Sequence, residues 1–152
     1  MNWSQKSMAE KPDHRIFVDS NVLISGIFSP EGAPAKILYL HTSGRVTIVV
    51  SQLILTETVL TLREKKPDAL SALNAFLTNS PPEIVINPSI DQVKKWTDYL
   101  HFEDAAIFAA AISSDPEYFV TGDKHFHSTL SLAEKSGLQI VTPAQLIRLL
   151  DI

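Results

Sequence analysis

The chain contains no cysteine. Disulfides and thiolate metal sites are thereby excluded. No apolar run approaches the roughly 20 residues that a membrane span needs, so no membrane association is expected. The opening stretch Met1 to Pro12 lacks the apolar core of a signal peptide. It reads as a polar tail over residues 1–13, ahead of a single domain over residues 14–152. Cytoplasmic residence is the simplest expectation. Internal repeats and low-complexity segments are missing, as are a glycine-rich phosphate loop and a nucleophile elbow. Nor is there a strongly basic footprint of the kind that marks many nucleic-acid binders.

What remains is an ordinary soluble composition, 45% hydrophobic and 20% charged over 152 residues. That length suits one domain with a real core. The net charge is −4, from 17 acids against 13 Lys plus Arg. Setting aside Asp19, Glu57, Asp104 and Asp123 leaves 13 acids against 13 bases. The acidic excess is thus equal to four particular residues, and a mild acidity of this origin does not exclude a nucleic-acid partner.

From residue 15 the pattern alternates between short β-rich runs and helical stretches. Strands are expected at 16–19, 46–51, 83–87, 118–121 and 139–142. Nearly continuous apolar runs of this kind suit parallel strands buried on both faces. Helices are expected at 21–28, 34–42, 52–65, 68–78, 90–100, 104–113, 130–135 and 143–150. Pro81-Pro82 and Asp115-Pro116 act as terminators. This alternation predicts an α/β fold, a three-layer α/β/α sandwich around a parallel sheet of about five strands.

The four acids occupy telling places in that frame. Asp19 ends the run Arg15-Ile16-Phe17-Val18, and Asp123 follows Tyr118-Phe119-Val120-Thr121-Gly122. Open α/β sheets bind ligands beyond the carboxyl ends of their strands. If the first and fourth strands are neighbours, both carboxylates face one crevice. Asp104 starts a helical pattern and shares a stripe with Ile107, Phe108 and Ala111. Glu57 shares a helical face with Leu53, Ile54 and Leu60, though Leu55, Val59 and Leu62 form a competing face. Isolated carboxylates are rarely buried unless paired or bound to a metal. Taken singly, Asp19 or Asp104 also suits a helix N-cap, Asp123 a turn, and Glu57 an exposed helix position. Taken together they point to a divalent-metal site.

The motifs around these acids resemble the PIN-domain family of metal-dependent nucleases, and within it the VapC-like toxins of toxin–antitoxin pairs. They are Val18-Asp19-Ser20-Asn21-Val22-Leu23, Glu57 on the helix after the second strand, Glu103-Asp104-Ala105-Ala106-Ile107, and Phe119-Val120-Thr121-Gly122-Asp123-Lys124-His125-Phe126. The ending Ile140-Val141-Thr142-Pro143 is also similar, and the likeness spans about residues 14–152. The resemblance implies an endoribonuclease whose Asp19, Glu57, Asp104 and Asp123 hold Mg²⁺ or Mn²⁺ and serve catalysis. Asn21, Thr121 and Ser20 would support them from behind. It also implies RNA as substrate, a cognate antitoxin as partner, and a homodimer formed through helices of the 34–78 region. The longer 27–34 segment departs from many small toxins and bears on loop geometry and substrate choice.

Other constellations are weaker. His125 and His127 flank Phe126, but two histidines without further His or Cys more often lie on the surface than bind zinc. Lys65-Lys66, Lys94-Lys95 and Lys124 fit solvated helix ends better than phosphate contacts. Trp96 and Tyr99 fit packing better than base stacking. Two other functions stay open. One is a non-catalytic module of the same fold whose acidic pocket captures a basic segment of a partner. The other is a phosphatase on a related α/β scaffold, although the Asp19/Asn21 pair lacks the second aspartate of the haloacid-dehalogenase type.

Overall fold

A computed structural model describes residues 14–128 and 130–151. The 1–13 tail expected from the sequence lies outside the described residues. Five parallel strands form one sheet in the order β3-β2-β1-β4-β5. They are β1 (His14–Val18), β2 (Val46–Ser51), β3 (Glu83–Val85), β4 (Tyr118–Val120) and β5 (Ile140–Val141). The helices are α1 (Ser20–Phe28), α2 (Ala33–Thr42), α3 (Gln52–Lys65), α4 (Leu70–Asn79), α5 (Ile90–Lys94), α6 (Phe102–Ser113), α7 (Lys124–His127), α8 (Leu130–Ser136) and α9 (Pro143–Leu150). The result is the expected three-layer α/β/α sandwich. α1 packs on α2 and α3, α2 also meets α9, and α6 lies against α5 and β2.

The strand order turns on β1. The chain winds outward to β2 and β3, then returns to lay β4 and β5 on the other side. The crevice between β1 and β4 is therefore the switch point of the sheet, where its carboxyl ends leave room for a ligand. Ile16, Phe17, Val18, Ile48, Val49, Val50, Phe119 and Val120 are fully buried, as strands covered on both faces must be. An aromatic cluster ties this sheet to α6 and α7. Phe108 meets Trp96 at 4.9 Å, Phe119 at 6.1 Å and Phe126 at 6.0 Å between ring centroids. The Phe108–Trp96 contact is edge-to-face and the Phe108–Phe126 contact stacked, arrangements that add to the area they bury. Trp96 is thus a packing residue, as expected.

Local details differ from the sequence expectation. β3 is shorter than 83–87 and its Ile84 is half exposed, because it is the outermost strand and has no neighbour to cover it. The expected 90–100 helix ends at Lys94, and Trp96 and Tyr99 continue as tightened turns bonded three residues back. The expected 68–78 helix begins with a 3₁₀ turn, Pro67–Ala69. α7 is additional to the expected helices: its four residues are too few to carry a helical period. At Gly26 of α1 a Cβ would stand 2.6 Å from Leu38 Cδ1 and 3.0 Å from Pro34 O, so a larger residue there would force α2 to shift.

Candidate functional site

Asp19 lies one residue beyond β1, in extended conformation, and caps α1. Its Oδ1 accepts the Ser20 amide at 2.8 Å. Its Oδ2 accepts Asn21 Nδ2 at 3.0 Å and Thr121 Oγ1 at 2.7 Å. The cap is real, yet it does not exhaust the residue, which is only 4% exposed. Burial outweighs these hydrogen bonds and raises the Asp19 pKa, with Asp123 and Asp104 adding to the rise.

Thr121 and Asn21 lace the β1 and β4 ends together. Thr121 Oγ1 donates to Asp19 and accepts the Asp123 amide at 3.0 Å. Asn21 Oδ1 accepts the Gly122 amide at 2.9 Å. Both residues thus bond to Asp19 and to the backbone that carries Asp123. Ser20 contributes its backbone amide.

Asp123 caps α7 through a 2.9 Å bond from the His125 amide. Asp104 is the third residue of α6, in whose first turn Glu103 is also acidic. The helix dipole favours negative charge there. Asp104 is not the N-cap; His101 holds that position, with no side-chain cap bond. Ile107, Phe108 and Ala111 of the same stripe are buried, so the expected face is correct. Burial raises the Asp104 pKa, and Asp123 raises it further. The opposing charges are imidazoles, His125 and His101.

Glu57 comes from α3, whose buried stripe is Ile54, Thr58 and Leu62. The expected face with Leu60 is corrected: Leu60 is 53% exposed, and Glu57 flanks the stripe beside Ile54. Its Oε1 is buried with no hydrogen-bond partner. Burial first, then the charges of Asp19, Glu103 and Asp104, push its pKa up to about 7. The charges acting on Asp19 and Glu57 are all other carboxylates.

The four sequence-derived acids therefore share one electrostatic neighbourhood at the β1/β4 edge. They are not equally close. Ligand atoms of Asp104, Asp123 and His125 lie within 4.8 Å of one another. Asp19 and Glu57 stand outside that tight group and couple to it by charge. His125 faces a cleft lined by Asp104, His101, Tyr99 and Ser128, of about 330 Å³. Glu103 and His125 are the residues that sequence reasoning undervalued. The Glu103-Asp104 doublet at a helix start and the Asp-Lys-His spacing were the available signals. The histidines lie where the surface reading put them for His125, which is exposed and turned to the acids, while His127 is half-buried with Nε2 2.7 Å from Thr121 O. Lys65, Lys94, Lys95 and Lys124 are exposed, and Lys66 sits 4.2 Å over the Phe28 ring.

The donor set suits a hard divalent cation. It consists of carboxylate oxygens, one of them buried without a hydrogen-bond partner, beside one accessible imidazole. Among the described residues, Asp104, Asp123 and His125 are the side chains whose donor atoms lie close enough together to share one ion, with Asp19 and Glu57 nearby.

Comparison with known proteins bears on the fold and the family. Curated protein sequences give no match. VapBC2 from Rickettsia felis, solved bound to a DNA fragment from its promoter, is similar in structure with a TM-score of 0.61 at 19% identity. The match covers 84% of this chain and 98% of that one. PAE2754 from Pyrobaculum aerophilum gives 0.58 at 20% identity, over 96% of both chains. DNA-bound VapBC from Salmonella typhimurium gives 0.59 at 16% identity, over 86% of this chain and 98% of that one. These likenesses show the shared fold. The family model described as PIN domain matches residues 15–125, from the start of β1 through Asp123 and into α7. The chain belongs to the PIN-domain family.

Proposed function

We propose that this PIN-domain chain is a metal-dependent endoribonuclease that hydrolyses RNA phosphodiester bonds, and the toxin of a toxin–antitoxin pair. The observation that carries the reading is the uncompensated acidic cluster at the switch point, above all the buried, unpartnered Oε1 of Glu57. In this reading Asp19, Glu57, Asp104 and Asp123 hold Mg²⁺ or Mn²⁺. When bound, the ion supplies Lewis acidity toward a phosphate and lowers the pKa of a bound water. Asp19 is held rigid by Ser20, Asn21 and Thr121, so its carboxylate is oriented before any ion arrives. Glu57, in the same reading, offers its buried, unpartnered Oε1 to the ion.

The toxin assignment draws on the resemblance to VapC-like proteins and on the fold shared with two VapBC proteins. An antitoxin partner, a homodimer, a cytoplasmic location and a single domain over 14–152 belong to the same proposal. No helix among the described residues is long and apolar enough to cross a membrane. The test is cleavage of RNA by purified protein with Mg²⁺ or Mn²⁺, compared with Asp19→Asn and Asp104→Asn. Cleavage that both substitutions abolish supports the reading. Intact RNA under all these conditions sinks it, and hydrolysis of small phosphomonoesters instead of RNA would replace it with a phosphatase.

A further inference from the structure

His125 stands in an unusual relation to two acids. Its Nδ1 lies 3.7 Å from Asp104 Oδ2 and 3.4 Å from Asp123 Oδ1. Both separations exceed the ~2.7–3.2 Å of an N–H···O hydrogen bond. The ring is therefore within ion-pair range of two carboxylates and outside hydrogen-bond range of both. Donor atoms sharing one ion at about 2.1 Å stand roughly 3.0 Å apart at right angles and roughly 3.4 Å apart in a tetrahedron. The observed separations fall within a few tenths of an ångström of that range. Asp104, Asp123 and His125 form the one group of three metal-ligating side chains with mutually close donor atoms among the described residues. The backbone fixes the arrangement: the His125 amide is tied to Asp123 Oδ1 in the first turn of α7, and buried Phe126 anchors that turn.

We propose that His125 is a metal ligand, which together with Asp104 and Asp123 makes the site select a first-row divalent transition ion over magnesium. This rests on the reading that the acidic cluster holds a divalent cation. Magnesium demands near-octahedral oxygen donors and keeps several waters, so an imidazole contributes little to it. Imidazole nitrogen suits transition ions. The family resemblance identified only carboxylates; the nitrogen ligand is a feature of this chain's Asp-Lys-His turn.

The experiment titrates the full-length protein, its His125→Ala variant and its Asp104→Asn variant with Mn²⁺ and with Mg²⁺ by calorimetry. Pulsed electron paramagnetic resonance is recorded on the Mn²⁺-loaded samples. His125 is an exposed side chain, so the metal-free variant should unfold at the wild-type temperature. Expected are tighter wild-type binding of Mn²⁺ than of Mg²⁺, a loss of about tenfold or more in Mn²⁺ affinity for His125→Ala, and little change for Mg²⁺. A nitrogen hyperfine coupling should be present in the wild type and absent from His125→Ala. Unchanged Mn²⁺ affinity in His125→Ala, or no nitrogen coupling in the wild type, overturns the ligand role while leaving the carboxylate site standing. A wild type that binds neither ion overturns both.

Discussion

Thr121 Oγ1 donates a 2.7 Å hydrogen bond to Asp19 Oδ2 across 102 residues of chain, from the end of β4 to the end of β1. The same oxygen accepts the Asp123 amide. One buried hydroxyl thus sets the positions of two acids on neighbouring strands. Thr121→Val keeps the shape and removes both bonds, leaving a buried carboxylate and an amide short of a partner. The expected cost is about 1–3 kcal/mol of stability. Metal affinity should fall as well, and Thr121→Ser should restore both. Denaturant unfolding and calorimetry with Mn²⁺ check this.

Glu57 predicts the opposite sign for stability. Its pKa is raised from 4.5 to about 7, so the folded state holds a proton that the unfolded state releases. Below both values the group is protonated in either state and costs nothing. Between them stability falls as pH rises, and above about 7 the full penalty is present. Metal-free protein should therefore lose stability from about pH 5 to about pH 8, and Glu57→Gln should lessen that loss. The same substitution should weaken metal binding. Unfolding midpoints across this pH range, with chelator present, decide the point.

Divalent ions should reverse the trend. An ion that binds only the folded state stabilises it by about 2.7 kcal/mol at a hundred times its dissociation constant. Protons compete with it for Glu57, so the stabilisation should be largest above about pH 7 and fade in acid. A chelator should return the protein to its metal-free midpoint without unfolding it, since the sheet and its aromatic cluster stand without the ion. Thermal scans with Mn²⁺, before and after chelation, measure this.

Phe108 couples the core to the site. It lies one helical turn after Asp104 and touches Trp96, Phe119 and Phe126. Phe108→Ala should cost about 3–5 kcal/mol. Phe108→Leu should cost less and still loosen the Asp104–Asp123 spacing, reducing metal affinity more than its stability loss explains. Paired unfolding and binding measurements separate the two effects.

The fold was largely legible in the sequence because parallel strands covered on both faces leave continuous apolar runs. β2 and α9 have the boundaries that their patterns imply. β3 was overextended because an edge strand carries the same apolar letters without the burial. α7 escaped notice because its helical character comes from the Asp123 cap and the buried Phe126, not from periodicity. Asp19, Asp104 and Asp123 were readable from their places at strand ends and a helix start. Glu57 was read by resemblance, since the stripe of α3 runs through Thr58, a polar residue whose hydroxyl donates to Ile54 O at 2.8 Å. The contribution of His125 depends on a turn that brings it back onto Asp104, some 20 residues earlier in the chain, and no local pattern signals that return.

In the proposed function, four carboxylates from just beyond β1, from α3, from α6 and from the β4–α7 turn serve one divalent-ion site. The most direct measurement is anomalous diffraction at the manganese edge from crystals soaked in Mn²⁺. The account predicts an anomalous peak within ligand distance of Asp104 and Asp123, with Asp19 and Glu57 facing it directly or through water. It also predicts that this peak vanishes in Asp104→Asn crystals. A well-soaked crystal with no peak at the β1/β4 edge, or a peak that survives Asp104→Asn unchanged, contradicts it.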